Sequence, residues 1–253
     1  MRQLHRSFAS LRMTKTKMTW VKICGMTNLE DALVAVEAGA DAVGFVFYEK
    51  SPRCVSVETV REIVAKLPET VEKVGVFVGE SLATAGAAGA FAGLDSLQVY
   101  TTSGPRILEV LENVGAWPPS RRKTGQTKIY LALPISKVVA EQVESQGLTI
   151  EMQDPEGEFV ALLLDSGGSQ MPGGTGVAFD WNQAAATVAD LNRRHKVVIA
   201  GGLKSQNVGE AMEILRPWGV DVASGVEARP GKKDAEKVRA FVRAVREMDR
   251  KVS

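Results

Sequence analysis

Histidine and cysteine are scarce in this chain of 253 residues, which has only His5, His195, Cys24 and Cys54. So small a supply disfavours a histidine-based metal centre or a Ser/His triad, and the two cysteines have no CxxC-like ligand spacing. A lone disulfide between them would be out of place in a reducing cytosol. Neither charge dominates: 31 basic against 30 acidic side chains leave a net charge of +1. That excludes a polycationic nucleic-acid binder, and no aromatic-basic stacking surface is visible. No apolar run approaches the roughly 20 residues needed to span a bilayer. Residues 1–18 contain no acid at all. Their basic, Ser/Thr-containing composition is that of an organelle transit peptide, or of an upstream-extended start with Met13 or Met18 as the true first residue. With few apolar residues to bury, this segment is expected outside the core.

What is present is ordinary in bulk, 45% hydrophobic and 24% charged, and ordered in pattern. From Trp20 onward, short runs rich in Val, Ile and Phe alternate with longer amphipathic stretches. The runs read as doubly buried strands and the stretches as helices. Strands are expected at Trp20–Cys24, Ala42–Phe47, Lys73–Val78, Leu94–Val99, Lys128–Leu133, Phe159–Asp165, Val197–Ala200 and Asp221–Ala223. Helices are expected from Asn28 as N-cap, over Val57–Leu67, in the alanine-rich stretch after Val78, from Pro105, after Lys204 and from Lys232. Ala116–Thr127 and Gly147–Glu158 read as surface excursions. Eight strand–helix units joined by right-handed crossovers predict a single (β/α)8 TIM barrel over 19–253, with an open doubly wound sheet as the alternative.

In such a barrel the active site lies at the C-terminal strand ends. These ends carry Cys24, Arg53 (on the loop after the second strand), Tyr100, Asp165 and three glycine-bearing loops: Gly173–Gly176, Gly201–Gly202 and Ser224–Gly225. Glycines let backbone N–H groups converge on an anion, and the last loops of these barrels often hold a phosphate. Each pair alone could be a tight turn; three at successive strand ends point to a phosphorylated small molecule. Cys24 reads as a small core residue or, with a cation nearby, as a thiolate base. Period two puts Lys22 on the same side as Cys24, inside the barrel, where it needs an acidic partner such as Asp221. Asp165 reads either as a loop cap or as an acid whose pKa is raised by desolvation. Arg53 reads as a solvated surface residue or as a fork for a carboxylate. Cys54 reads as a loop or packing cysteine.

Five stretches together resemble the phosphoribosylanthranilate isomerase family: VKICGMTNLEDALVAVEAGADAVGFVFYEKSPRCVS (Val21 to Ser56), LLLDS (Leu162 to Ser166), GGTGVAFDW (Gly173 to Trp181), IAGGL (Ile199 to Leu203) and VDVASGVEARPGKKD (Val220 to Asp234). The resemblance implies that Cys24 is the general base and Asp165 the general acid. It implies that Arg53 holds the anthranilate carboxylate and that Asp221 lies near the sugar hydroxyls. Gly174, Gly176, Gly202, Ser224 and Gly225 then grip the phosphate. The implied reaction is an Amadori rearrangement in tryptophan biosynthesis, without metal or organic cofactor, in a cytoplasmic monomer or homodimer with no nucleic-acid or membrane partner. The chain departs from the family after the fourth strand, where LQLHG is frequent and LQVYT stands here, so that Tyr100 replaces a histidine. Cys54 likewise replaces a frequent aromatic residue.

Two other readings compete. A sister barrel acting on a related phosphoribosyl or indole-glycerol phosphate tends to use carboxylate pairs or Lys/Glu, which the KICG end disfavours. A catalytically silent phosphate-binding barrel has no need of both Cys24 and Asp165.

Overall fold

The described barrel strands are short and mostly apolar, and in Ala42–Val46 (AVGFV) all five residues are buried. A strand buried on both faces must be covered on both, and this chain does so by closing its sheet on itself. The computed structural model describes residues 18–100, 128–136, 138, 159–167 and 178–251. Among them β1 (Trp20–Cys24), β2 (Ala42–Val46), β3 (Glu72–Val78), β4 (Ser96–Tyr100), β5 (Lys128–Pro134), β6 (Phe159–Asp165), β7 (Val197–Ile199) and β8 (Gly219–Val222) form a closed barrel in sequence order. All neighbours are parallel, and β1 closes against β8 with Lys22 opposite Asp221. The helix expected from Pro105, the two expected excursions and residues 1–17 lie outside the described residues.

Four of the described helices begin where a short polar side chain replaces a missing backbone partner. Asn28 Oδ1 accepts from Asp31 N at 2.9 Å and opens α1 (Leu29–Glu37). Ser56 does the same for α2 (Val57–Val64), Ser81 for α3 (Leu82–Ala92) and Asp180 for α4 (Trp181–Leu191). After α5 (Val208–Leu215), the long α6 (Ala235–Lys251) buries Val238, Phe241, Val242 and Val245 and packs on α1 and α5. Each such side chain contributes about 1.5–3 kcal/mol of burial. No described helix is long and apolar enough to cross a membrane.

Period-two alternation sorts the strand residues into two cores. Outward residues such as Val21, Ile23, Leu97, Val99, Leu162 and Leu164 pack under the helices. Inward residues, among them Cys24, Val76, Tyr100, Ala132, Leu163 and Ala200, fill the barrel. Near the strand N-termini Trp20 stacks on Tyr130 and Trp218, with ring centroids 5.2 and 5.3 Å apart. Glu72, at the start of β3, accepts from Ser96 and Tyr130 at the same end.

Several boundaries differ from expectation by one to three residues, and three of the differences bear on the site. β4 runs on to Tyr100, so Tyr100 shares the inward side with Gln98. β8 starts two residues earlier than its apolar pattern suggests, at Gly219. The last helix starts at Ala235 instead of Lys232, because a hairpin of β9 (Glu227–Arg229) and β10 (Lys232–Lys233) precedes it. Gly231, at φ +80°, makes its turn.

Candidate active site

The C-terminal strand ends surround a cleft with about 670 Å³ of empty space, its open mouth included. Cys24, Arg53, Asp165, Gly202, Asp221 and Ser224 all line it, brought together from five of the barrel's strand–loop units. Gly225 stands just behind, where an added Cβ would meet the Leu203 carbonyl oxygen at 1.9 Å. Gly174 and Gly176 lie outside the described residues.

Cys24 ends β1 facing inward, 6% exposed. Its space comes from β2: a Cβ on Gly44 would lie 2.7 Å from Cys24 Sγ and 3.2 Å from Lys22 Cε. Lys22 Nζ sits 2.8 Å from Asp221 Oδ1, at ion-pair distance though without hydrogen-bond angles. Burial opposes the Lys22 charge, but Asp221 and then Cys24 more than offset it and hold the ammonium above its ordinary value. Burial also pushes the Cys24 thiol up. Lys22 and Lys233 pull it down and Asp221 pushes it up, so the net direction is upward. The cation expected beside the thiol is there, but it does not outweigh desolvation.

Asp165 ends β6, 3% exposed. Oδ1 accepts from Gly167 N at 2.9 Å and Oδ2 from the Tyr100 hydroxyl at 2.7 Å. Burial raises its pKa more than these two donors lower it, leaving the carboxyl above its ordinary value. That is the condition for carrying a proton toward neutral pH.

Arg53 is not a solvated surface residue: it is 8% exposed. Nε and Nη2 each lie 2.8 Å from a Glu227 carboxylate oxygen. Gly25, at φ +81°, lets its stem pass, since a Cβ there would meet Arg53 Cδ at 2.5 Å. Lys233 Nζ reaches the same carboxylate at 3.1 Å, so two cations share one buried acid and one positive charge remains in excess. Desolvation lowers the Lys233 ammonium despite Glu227. Cys54 is exposed and its thiol free.

Glu227, Lys233 and Gln98 are not among the site residues expected from the sequence. Lys233 falls in the stretch expected to begin the last helix, Glu227 falls in the loop before it, and Arg53, the partner of Glu227, is remote in sequence. Gln98, 1% exposed, lines the cleft with neither amide atom partnered among the described residues. Its signal is in the sequence: an amide in the middle of an apolar strand, on the inward side.

The family profile described as N-(5'phosphoribosyl)anthranilate (PRA) isomerase matches residues 21–118 and 123–244. An N-(5'-phosphoribosyl)anthranilate isomerase of Pelobacter propionicus is 38% identical over 230 residues, 91% of this chain and 97% of its own. One from Pseudomonas aeruginosa is 41% identical over 226 residues, covering 89% and 94%. The crystal structure of phosphoribosyl anthranilate isomerase from Thermotoga maritima superposes with a TM-score of 0.71 at 33% identity, over 91% of this chain and all of the other. Another structure of the enzyme, in complex with reduced 1-(o-carboxyphenylamino)-1-deoxyribulose 5-phosphate, has a TM-score of 0.67 at 32% identity, over 91% and 100%. By fold and by sequence, this chain belongs to the phosphoribosylanthranilate isomerase family.

Proposed function

We propose that the chain converts N-(5'-phosphoribosyl)anthranilate to 1-(2-carboxyphenylamino)-1-deoxyribulose 5-phosphate in tryptophan biosynthesis. The observation that carries this reading is one thiol, Cys24, and one desolvated carboxyl, Asp165, facing the same cleft. The relatives' names and the ligand of the superposed structure support it.

Asp165 protonates the furanose ring oxygen, the C1'–O bond breaks, and the nitrogen lone pair forms the Schiff base. The Cys24 thiolate takes the C2' proton, and the released pair makes the C1'=C2' double bond while the nitrogen regains its own. The enolamine then loses its O2' proton and gains one at C1', giving the ketone. The isomerisation moves protons without net oxidation, so an acid and a base suffice.

Arg53 faces the anthranilate carboxylate. Glu227 occupies the side edge of its guanidinium, which leaves the end-on pair of N–H groups for a second carboxylate. Asp221 lies by the sugar hydroxyls. The backbone around Gly202, Ser224 and Gly225, with Gly174 and Gly176, takes the phosphate and so orients the sugar between acid and base. All these groups come from one chain, so the reading holds for a monomer or a homodimer. A catalytic thiolate fits a reducing compartment, and we assign the enzyme to the cytoplasm.

The test is to mix purified protein with freshly prepared phosphoribosylanthranilate and follow the loss of its fluorescence. Wild type is expected to consume it, and Cys24→Ala and Asp165→Asn to fall to background. A wild type no faster than Cys24→Ala refutes the assignment.

A further inference from the structure

Tyr100 has no role in the reaction as written, yet it spends its hydroxyl on the group that does. It ends β4, two strands away from β6, and both side chains point into the barrel. The strand between presents Ala132 in register with Tyr100, a side chain small enough to leave the phenol a path across. The hydroxyl reaches Asp165 Oδ2 at 2.7 Å, while Gly167 N reaches Oδ1 at 2.9 Å. Each carboxyl oxygen thus has one fixed donor, and the plane of the carboxyl group is set by two bonds from different strand ends. The phenol is only 7% exposed and lines the cleft beside the acid.

We propose that Tyr100 is the positioning residue of the proton donor: it orients Asp165 and stabilises the carboxylate that forms when the acid proton leaves for the substrate. This rests on the reading that Asp165 is the proton donor. Before transfer, the phenol donates to a neutral carboxyl group, an ordinary hydrogen bond. As the proton departs, negative charge grows on Oδ1 and Oδ2, where two donors are already aimed. Both bonds then become charge-assisted, roughly twice as strong as neutral ones. The gain appears as charge develops and needs no movement, which is the form of stabilisation that speeds a step.

The residue type adds a property. Burial first, and Asp165 second, push the Tyr100 phenol well above 10, so it remains a donor across the working range. A histidine at this strand end, frequent in the family, would titrate near neutral pH and change its support with it. Here the acid has a partner whose protonation is constant.

The experiment reads Asp165 directly. Its carboxyl stretch is followed by difference infrared titration and assigned by its absence in Asp165→Asn. Tyr100→Phe keeps the ring and removes the donor; 3-fluorotyrosine placed at position 100 keeps the shape and donates more strongly. We expect Tyr100→Phe to raise the carboxyl titration by about one pH unit. We expect it to lower kcat about tenfold or more, with KM changed less than about twofold. Fluorotyrosine should move the titration the other way, and it remains decisive if Tyr100→Phe fails to fold. A carboxyl that titrates identically in all forms, or a folded Tyr100→Phe enzyme with kcat within about twofold of wild type, overturns the proposal. An inactive wild type would instead remove the isomerase reading, and the titration would still report whether the phenol and carboxyl are coupled.

Discussion

Arg53 meets Glu227 side-on, Nε and Nη2 each 2.8 Å from its carboxylate oxygens, and Lys233 holds the same carboxylate from a second direction at 3.1 Å. The acid fixes the fork, while the second cation keeps the cluster positive toward the cleft. Glu227→Gln removes the charge that anchors the guanidinium without removing the bulk. We expect KM for phosphoribosylanthranilate to rise roughly tenfold, with a smaller change in kcat, because positioning of the carboxylate is lost and the acid and base are untouched. Steady-state kinetics check this; an unchanged KM means that Arg53 needs no anchor.

The same carboxylate makes stability depend on pH. Arg53 and Lys233 hold Glu227 below its ordinary value against burial, and Lys232, the Lys233 backbone N–H and Asn28 do so for Asp31. A depressed folded pKa contributes stability that is fully present above the unfolded value, about 4.3 for Glu and 3.9 for Asp. That stability is lost as pH falls through the folded value. Urea unfolding of wild type should therefore weaken below about pH 4. Glu227→Gln should start less stable and show a shallower acid dependence. Parallel curves for the two proteins would mean that Glu227 titrates alike folded and unfolded.

Lys22 lowers the Cys24 thiol against desolvation. In a Cys54→Ser background, ultraviolet absorbance of the thiolate reports Cys24 alone. We expect Lys22→Met to move that titration upward and to cost about 3–5 kcal/mol of stability, since Asp221 is left buried without its cation. Asp221→Asn in addition should recover part of that loss. A thiol that titrates alike with and without Lys22 excludes the tuning role.

Gln98 should separate stability from binding. Its buried amide has no partner among the described residues, so Gln98→Leu removes a desolvated polar group and is expected to leave stability unchanged or higher by about 1–3 kcal/mol. If the amide meets the sugar of the substrate, KM rises in the same variant. Thermal melting and kinetics on one preparation read both; a destabilised protein with normal KM would make Gln98 structural.

The sequence made the barrel legible because its strands are short, apolar and regularly spaced. It also placed Lys22 beside Asp221, since period two turns Lys22 inward and a buried ammonium must have an acid. Cys24 and Asp165 were visible as strand-end residues, but pattern alone left each with a packing or capping role. The family motifs supplied their chemistry. What stayed hidden depends on contacts between remote segments: Glu227 against Arg53 is 174 residues apart, and Tyr100 against Asp165 is 65. Local periodicity carries no signal for such pairs. The β9–β10 hairpin was missed for a different reason, because a charged run after a glycine reads equally well as the start of a helix.

The ion pair between Lys22 and Asp221 lies on the seam where the first and last strands meet. Thr19 and Asp249, bonded at 2.6 Å, and Arg53 and Glu227 bridge the same two ends of the chain. Lys22 and Arg53 come early in the chain, and their acids Asp221 and Glu227 come from the last barrel strand and the hairpin after it. A chain cut before Asp221 lacks both of these counter-ions. Closing the barrel and balancing the charge of its mouth are therefore one event.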